Sequence, residues 1–155
     1  MRAVIQRVAS ASVVVDGGAP RTIGRGIVIL LGVRDTDTLA IVPKLAEKCA
    51  GLRIFEDEEG KLNRSARELG LQALVVSNST LYGDPPKDKR PSFIPAAKPP
   101  LSVDCYNAFV EQMRQAGLAG VQTGEFGADM QVSLVNDGPV TIVIDTDEWT
   151  KESKA

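Results

Sequence analysis

Two uninterrupted apolar runs of strand length constrain the fold of this chain more than any other feature of its sequence. Residues 27–33 read IVILLGV, and residues 73–76 read ALVV within the expected strand 71–78, LQALVVSN. A short apolar run that lacks alternating polar residues is typical of a strand buried on both faces. We therefore expect an α/β domain in which strands dominate and these two runs are central.

Weaker patterns predict the remaining elements. The further expected strands are 2–8, 11–15, 21–23, 53–55, 128–135 and 140–145. Helices are expected over about 37–50, with Asp35 or Thr36 as the cap, and over about 102–117, with Ser102 as the cap. The apolar face of the first helix consists of Leu39, Val42, Leu45, Ala46 and Cys49. Residues 85–100 hold six of the nine prolines, which predicts an irregular excursion.

The chain has 155 residues, a length that fits one domain. We expect residues 1–150 to form this domain and residues 151–155 to form a short polar tail. No apolar stretch reaches the roughly 18 residues of a membrane span, and the opening residues lack the layout of a signal peptide. Cys49 and Cys105 are far apart, and Cys49 is expected to be a buried free thiol. These features favour the cytoplasm.

The sequence contains no histidine, and this absence limits the available chemistry. It excludes Ser-His-Asp and Cys-His catalytic sets and removes the commonest metal ligand. Two separated cysteines cannot form a thiolate zinc site. We therefore expect no metal and no cofactor. A net charge of −2 argues against extensive binding of a nucleic-acid backbone, but it permits binding of one end of an RNA.

The polar segment SNSTLYGD, residues 77–84, follows directly after the second apolar run. Its hydroxyl and amide groups can satisfy a turn at the end of a strand. They can also form a cradle for a polar ligand, with backbone N–H groups as an oxyanion hole. Composition alone favours the turn.

Two other segments also allow a structural and a functional interpretation. Residues 136–139 read NDGP and are expected to form a hairpin turn, in which the bond before Pro139 can be trans or cis. Gly124 and Gly127 bracket Phe126. The Phe126 ring is then either packed in the core or presented to a ligand, and the residues alone do not decide.

Taken together, three strings resemble the D-aminoacyl-tRNA deacylase family: MRAVIQRVASASVVVDG, SNSTLYGD and TGEFGADMQVSLVNDGPVT. The resemblance extends over essentially the whole chain. It implies a homodimer with a compact, β-barrel-like α/β fold and two main helices. It also implies hydrolysis of the ester that joins a D-amino acid, or mischarged glycine, to the 3′ end of tRNA. This activity would be a proofreading step in translation quality control.

The resemblance assigns the first segment to catalysis. Ser77 and Thr80 match its hydroxyls, and the amide of Ser79 matches the oxyanion donor. The family usually has Gln at Asn78 and a bulky residue at Ser79, so a hydrogen bond made by Gln can be lost or bridged by water. In the family the 2′-hydroxyl of the tRNA is thought to assist the attacking water. An older proposal makes Thr80 the nucleophile, but the only carboxylate near it in sequence, Asp84, would be a weak base.

The other matched residues imply substrate binding and chiral selection. Gly138 and Pro139 match a cis dipeptide that enters the partner subunit's active site and excludes an L side chain. Arg7 matches a residue that helps to orient this dipeptide. Phe126 and Met130 match positions that hold the terminal adenosine.

Two alternatives from other classes remain open. The first is a conventional hydrolase of small esters or amides, which would use Thr80 with Asp84 or Lys87. The second is a non-catalytic dimeric module that binds an RNA end through four basic residues, Lys87, Lys89, Arg90 and Lys98. A comparison of D- and L-aminoacyl-tRNA as substrates separates these alternatives.

Overall fold

A computed structural model describes residues 1–84 and 89–149, which contain eight strands and two main α-helices, and residues 147–149 are also helical. The strands are β1 (Arg2–Val15), β2 (Arg21–Ile23), β3 (Gly26–Gly32), β4 (Phe55–Glu56), β5 (Leu62–Arg64), β6 (Gln72–Ser77), β7 (Gly120–Thr123) and β8 (Met130–Asp145). The helices are α1 (Val42–Gly51) and α2 (Leu101–Arg114), and 3-10 turns span Leu39–Ile41 and Ser79–Tyr82.

One nearly closed, barrel-like sheet dominates the fold. Its strands follow the order β2-β1-β3-β6-β7, and β8 pairs with β1, whereas β4 and β5 form a separate antiparallel pair. β3 is parallel to β6 and antiparallel to β1, and β6 is parallel to β7. The prediction of a strand-rich, barrel-like α/β fold with two main helices is confirmed.

The central strands separate two apolar cores, because successive side chains of a strand point to opposite faces. In β3, Ile27, Ile29 and Leu31 enter the larger core, which includes residues of α1 and α2. Val28 enters the smaller core, and Leu30 packs against it. β6 alternates in the same way. Both apolar runs therefore form strands that are covered on two sides, as their sequences predicted.

β1 is one bulged strand where two strands were predicted. Its pairing with β8 shifts between Val8 and Ser10, so that Ala9 is an extra residue. An extra residue reverses the alternation of side chains beyond it. Val8 and Ala11 can therefore both enter the smaller core, although they have opposite parity in the sequence.

The prediction of a hairpin at residues 136–139 is wrong, because the runs on both sides of it pair with β1 and not with each other. Where β1 contributes the single residue Arg7, β8 contributes the four residues 137–140. We call these four residues the 137–140 bulge. The protruding segment is therefore an interruption within β8 and not a link between two paired strands.

α1 does not begin at either predicted cap. Neither Asp35 nor Thr36 caps it, because a 3-10 turn precedes the helix and Pro43 lies in its first turn. Proline is tolerated there because the first N–H groups of a helix have no partner within the helix. Leu39 is 51% exposed, so it does not belong to the buried face, whose other predicted members are all buried.

The second helix and the last part of the sheet also differ from the prediction. Ser102 lies inside the first turn of α2 and is buried, and it does not cap the helix. β7 was not predicted, and only its parallel pairing with β6 identifies it as a strand. Within residues 1–84 and 89–149, no helix is long and apolar enough to cross a membrane. Residues 150–155, including the predicted tail, lie outside the described residues.

Candidate active site

A groove of about 450 Å³ lies beside the carboxyl ends of the parallel strands β3 and β6. Its lining residues are Leu30, Val76, Ser77, Asn78, Ala128, Met130, Val132 and Leu134. Ligands commonly bind beyond the carboxyl ends of parallel strands. The groove, here called the Ser77 groove, brings together three of the predicted site residues, Ser77, Asn78 and Met130.

The 3-10 turn that follows Ser77 packs closely on the end of β3. A Cβ atom at Gly32 would lie 3.1 Å from Cβ of Leu81 and 3.2 Å from the carbonyl oxygen of Asn78. Glycine at this position therefore lets the turn approach the strand. The N–H group of Asn78 also donates to the carbonyl of Leu31 at 2.8 Å, which holds the turn in place.

The turn offers hydrogen-bond donors but no activated hydroxyl. Ser79 and Thr80 are exposed at its beginning, where the first N–H groups of a helical turn have no acceptor within the turn. The hydroxyl of Thr80 donates a short hydrogen bond to the side-chain oxygen of Asn78. An amide oxygen is not a base at neutral pH, so this contact does not activate Thr80 as a nucleophile.

Met130 reaches the groove because Gly124 has no side chain. A Cβ atom at Gly124 would collide with the sulfur of Met130. Phe126, between these residues, is 37% exposed and does not line the groove. Its ring centroid lies 6.2 Å from that of Tyr106. Phe126 is therefore neither fully packed in the core nor part of the groove wall. It lies in residues 124–129, here called the Phe126 turn, which connect β7 to Met130 at the start of β8.

Tyr106 gives Phe126 a fixed neighbour. Its hydroxyl donates to the backbone carbonyl of Val75 at 3.0 Å. Burial raises the pKa of Tyr106 to about 12, so the phenol stays protonated at neutral pH and keeps this hydrogen bond. The Phe126 turn thus rests on a side chain that is tied to β6.

Two residues that sequence reasoning missed hold the ends of the Phe126 turn. Arg21 donates to the carbonyl of Thr123 at 2.9 Å and to the carboxylate of Glu125 at 2.8 Å. At the other end, the backbone N–H of Asp16 donates to the carbonyl of Asp129 at 2.9 Å. All three hydrogen bonds join residues more than a hundred positions apart, and no local pattern indicates them.

Arg7 anchors the 137–140 bulge from beneath. It is 8% exposed, and it donates to the carbonyls of Asp137 at 2.8 Å and Ile54 at 2.9 Å. Gly138 has a φ of 138°, and a Cβ atom there would lie 3.1 Å from a terminal nitrogen of Arg7. The Gly138–Pro139 peptide is cis. Gly138 and Pro139 are exposed, and like Arg7 they do not line the Ser77 groove.

The side chain of Asn136 closes the base of the bulge. Its oxygen accepts a hydrogen bond from the N–H of Val140 at 2.8 Å, and its nitrogen donates to the hydroxyl of Thr141 at 3.0 Å. Asn136 was expected only as a turn residue. Here its side chain binds Val140 and Thr141, where β8 resumes its pairing with β1 after the bulge.

β8 also presents an apolar outer edge. Among the described strands it pairs only with β1, and Val132, Val135 and Val143 are 38%, 57% and 66% exposed. A long strand with a free edge tends to pair with or be covered by another chain. This edge is therefore a candidate surface for self-association.

The other reactive groups form no second centre in the described residues. Cys49 and Cys105 are free and buried, as predicted for Cys49, and burial raises the pKa of the Cys49 thiol to about 12. No group of three or more metal-ligating side chains occurs in residues 1–84 and 89–149. Asp84 is exposed and its backbone pairs with Ser92. Lys87 lies outside the described residues.

The chain is similar to known proteins over most of its length. The curated relatives are D-aminoacyl-tRNA deacylases, and this chain is accordingly an enzyme, a hydrolase acting on ester bonds. It is 55% identical over 146 residues to the Roseiflexus castenholzii protein, covering 94% of this chain and 92% of that one. For the Symbiobacterium thermophilum protein the identity is 53% over 148 residues, covering 96% and 97%. A family model described as D-Tyr-tRNA(Tyr) deacylase matches residues 4–145, and the chain belongs to this family.

Solved structures agree with the fold. A chain described as c-Myc DNA Unwinding Element Binding Protein has a TM-score of 0.87 and 41% identity, covering 94% of this chain and 98% of that one. A probable eukaryotic D-amino acid tRNA deacylase has a TM-score of 0.83, covering 93% and 98%, and its 15% identity makes it a likeness of fold alone.

Proposed function

We propose that this chain hydrolyses the ester between a D-amino acid, or mischarged glycine, and the 3′ end of tRNA. The reaction would take place in the cytoplasm as a chiral proofreading step, without metal or cofactor. The observation that carries the proposal is the Ser77 groove, where an apolar floor, Met130 and the free donors of the following turn meet. Its volume of about 450 Å³ lies within the range of small-ligand sites.

The turn supplies oxyanion stabilisation. As water attacks the ester carbonyl, negative charge develops on its oxygen, and the N–H of Ser79 is available to bind it. One such donor typically contributes about 2.7–4 kcal/mol to lowering the barrier. The bond between the carbonyl carbon and the 3′-oxygen then breaks, and the 3′-oxygen leaves with a proton. The adjacent 2′-hydroxyl of the tRNA assists the water, because the described contacts of Thr80 include no base.

Binding of the terminal adenosine is assigned to Phe126 and Met130. Phe126 is 37% exposed on the turn that precedes Met130, and Met130 lines the groove. Aromatic and methionine side chains offer the flat, polarizable contacts that suit a base. Ser77 and Asn78 add polar groups to the lining of the groove.

Chiral selection is assigned to the 137–140 bulge of a partner subunit in a homodimer. The bulge is exposed, is fixed by Arg7 and Asn136, and contributes nothing to the groove of its own chain. Carbonyls at Gly138 and Pro139 would hold the amino group of the substrate and leave no room for an L side chain. The apolar edge of β8 supports the association of two copies.

The direct test compares matched D- and L-aminoacyl-tRNAs with a simple ester of the same D-amino acid. We expect cleavage of the D-aminoacyl-tRNA, little cleavage of the L form and no turnover of the simple ester. Turnover of the simple ester would favour the conventional hydrolase that uses Thr80. Binding of tRNA without turnover would favour the RNA-binding module.

A further inference from the structure

Phe93 and Ile94 form an apolar tip on the segment 89–98, and they are 49% and 84% exposed. Both sides of this Phe93–Ile94 tip are anchored. Ser92 exchanges two backbone hydrogen bonds of 2.8 Å with Asp84, and the N–H of Ala97 donates to the carbonyl of Val33 at 2.9 Å. The fold therefore holds two neighbouring apolar side chains in solvent, which is typical of an interaction site.

The tip adjoins the turn that carries the candidate oxyanion donors. A Cβ atom at Gly83 would lie 3.0 Å from the Phe93 ring and 3.0 Å from the carbonyl oxygen of Thr80. Gly83 thus lets the aromatic ring lie directly against the end of the turn. A ligand whose reacting end lies at this turn has Phe93 within reach of its adjoining part.

The charges around the tip favour a nucleic acid. Lys89, Arg90 and Lys98 are exposed on the same segment, although the whole chain has a net charge of −2. The backbones of Asp35 and Asp84 bond to this segment, so the local positive excess is modest. A second copy of the chain would bring the same cations to a symmetric contact, which disfavours self-association at the tip. Cations beside an exposed aromatic ring suit single-stranded RNA, whose bases stack on such rings.

We propose that the Phe93–Ile94 tip binds the unpaired nucleotides that precede the terminal adenosine of the substrate. A base stacks on Phe93, Ile94 extends the apolar contact, and Lys89 and Lys98 lie near the phosphates. This inference rests on the proposed function, since it names the part of the same substrate that lies outside the groove.

The test uses two substrates, a D-aminoacyl-tRNA and a D-aminoacyl-adenosine that lacks the preceding nucleotides. Phe93→Leu keeps an apolar side chain but removes the ring, and Ile94→Ser removes the second contact. Loss of one stacked base corresponds to roughly a tenfold effect. Phe93→Leu should therefore raise KM for the tRNA about tenfold, Ile94→Ser should raise it less, and both should leave cleavage of the adenosine ester unchanged. Leu62→Ser is the matched control, because Leu62 is 51% exposed but lies on β5.

The lysines give a second readout. Lys89→Gln and Lys98→Gln should each lower the slope of log affinity against log salt concentration by about 0.7, the value for one phosphate contact to a single strand. Unchanged slopes together with unchanged KM values would overturn the inference. Equal losses on both substrates would assign Phe93 to the support of the catalytic turn and would also overturn it, as would loss of the dimer. If the unmodified protein cleaves neither substrate, the proposed function itself fails, and this inference with it.

Discussion

The Ser77 groove and the 137–140 bulge lie along the same strand, β8, yet they differ in shape, burial and construction. The groove is concave, and its walls come from three separate parts of the chain. The bulge is convex and exposed, and it consists of consecutive residues that are fixed by buried Arg7. The groove offers donors and apolar surface to a ligand, whereas the bulge offers backbone groups that its own chain leaves in solvent.

This difference suggests why a site of this kind would use two copies of the chain. A projection that does not enter its own groove can enter the groove of a symmetric partner, and a two-fold axis then forms two identical sites. Stereochemical selection can reside in the rigid backbone of the projection, and bond cleavage can reside in the groove. A defect in the groove should therefore slow bond cleavage, whereas a defect in the bulge should weaken the preference for D over L substrates.

The largest expected effect concerns the groove and is produced by changing the substrate. A D-aminoacyl-tRNA that ends in 2′-deoxyadenosine, with its amino acid on the 3′-oxygen, should bind but react about 10²–10⁴-fold more slowly, the usual contribution of a general base. Thr80→Ala should retain measurable activity. Single-turnover assays with both substrates exclude masking by product release. Normal cleavage of the deoxy substrate, or an acyl group trapped on Thr80, would contradict this assignment.

The next effect concerns the bulge. Gly138→Ala should lower D-aminoacyl-tRNA cleavage about 10–100-fold, because strain at a positive φ costs about 1–3 kcal/mol and the new methyl group meets Arg7. The preference for D over L substrates should fall as well. Gly60→Ala is the control, since Gly60 has a φ of 78° and no neighbouring atom within 4 Å. Equal activity in the two variants would contradict a role of the bulge in the reaction.

A smaller effect is expected at the Phe126 turn. Arg21→Ala removes two hydrogen bonds from the Phe126 turn, and we expect KM to rise about three- to tenfold, the effect of roughly 0.7–1.4 kcal/mol. kcat should remain unchanged. Arg64→Ala is a matched control, because Arg64 is similarly exposed and also pairs with carboxylates. A fall in kcat with unchanged KM would place Arg21 in a different role.

No effect is expected from metal removal. Dialysis against a strong chelator should leave the rate of deacylation unchanged, since the sequence contains no histidine and the described residues contain no cluster of metal ligands. Full activity before and after dialysis is the expected result. A loss that zinc or magnesium restores would contradict the metal-free mechanism of the groove.

The groove was easier to predict than the bulge for a physical reason. The composition of the apolar runs in β3 and β6 indicates that both strands are buried. The polar residues that follow them are therefore expected at a strand end. Ser77 and Asn78 indeed meet Met130 there. The local sequence pattern of a strand does not indicate which other strand it pairs with. The local pattern of residues 136–139 therefore predicts a hairpin, although both flanking runs pair with β1.

Long-range contacts account for some of the remaining differences, and local competition at a helix start accounts for another. The hydrogen bonds of Arg21 to the Phe126 turn join residues that are far apart in the sequence, and an arginine in a short strand gives no sign of them. The start of α1 was misplaced because Asp35 and Thr36 are good caps in isolation, whereas the helix begins beside Pro43. The roles of all the candidate site residues came from the family resemblance and stay predictions.

A subunit-complementation assay tests the shared site most directly. Ser79→Pro removes the oxyanion N–H at the start of a turn, where proline is tolerated, and Gly138→Ala alters the bulge. When the two variants are co-expressed, about half of the dimers are mixed, and each mixed dimer has one intact site. We predict about one quarter of the unmodified single-turnover activity on D-aminoacyl-tRNA, well above either variant alone. A mixture no more active than the separate variants would contradict a site shared between subunits.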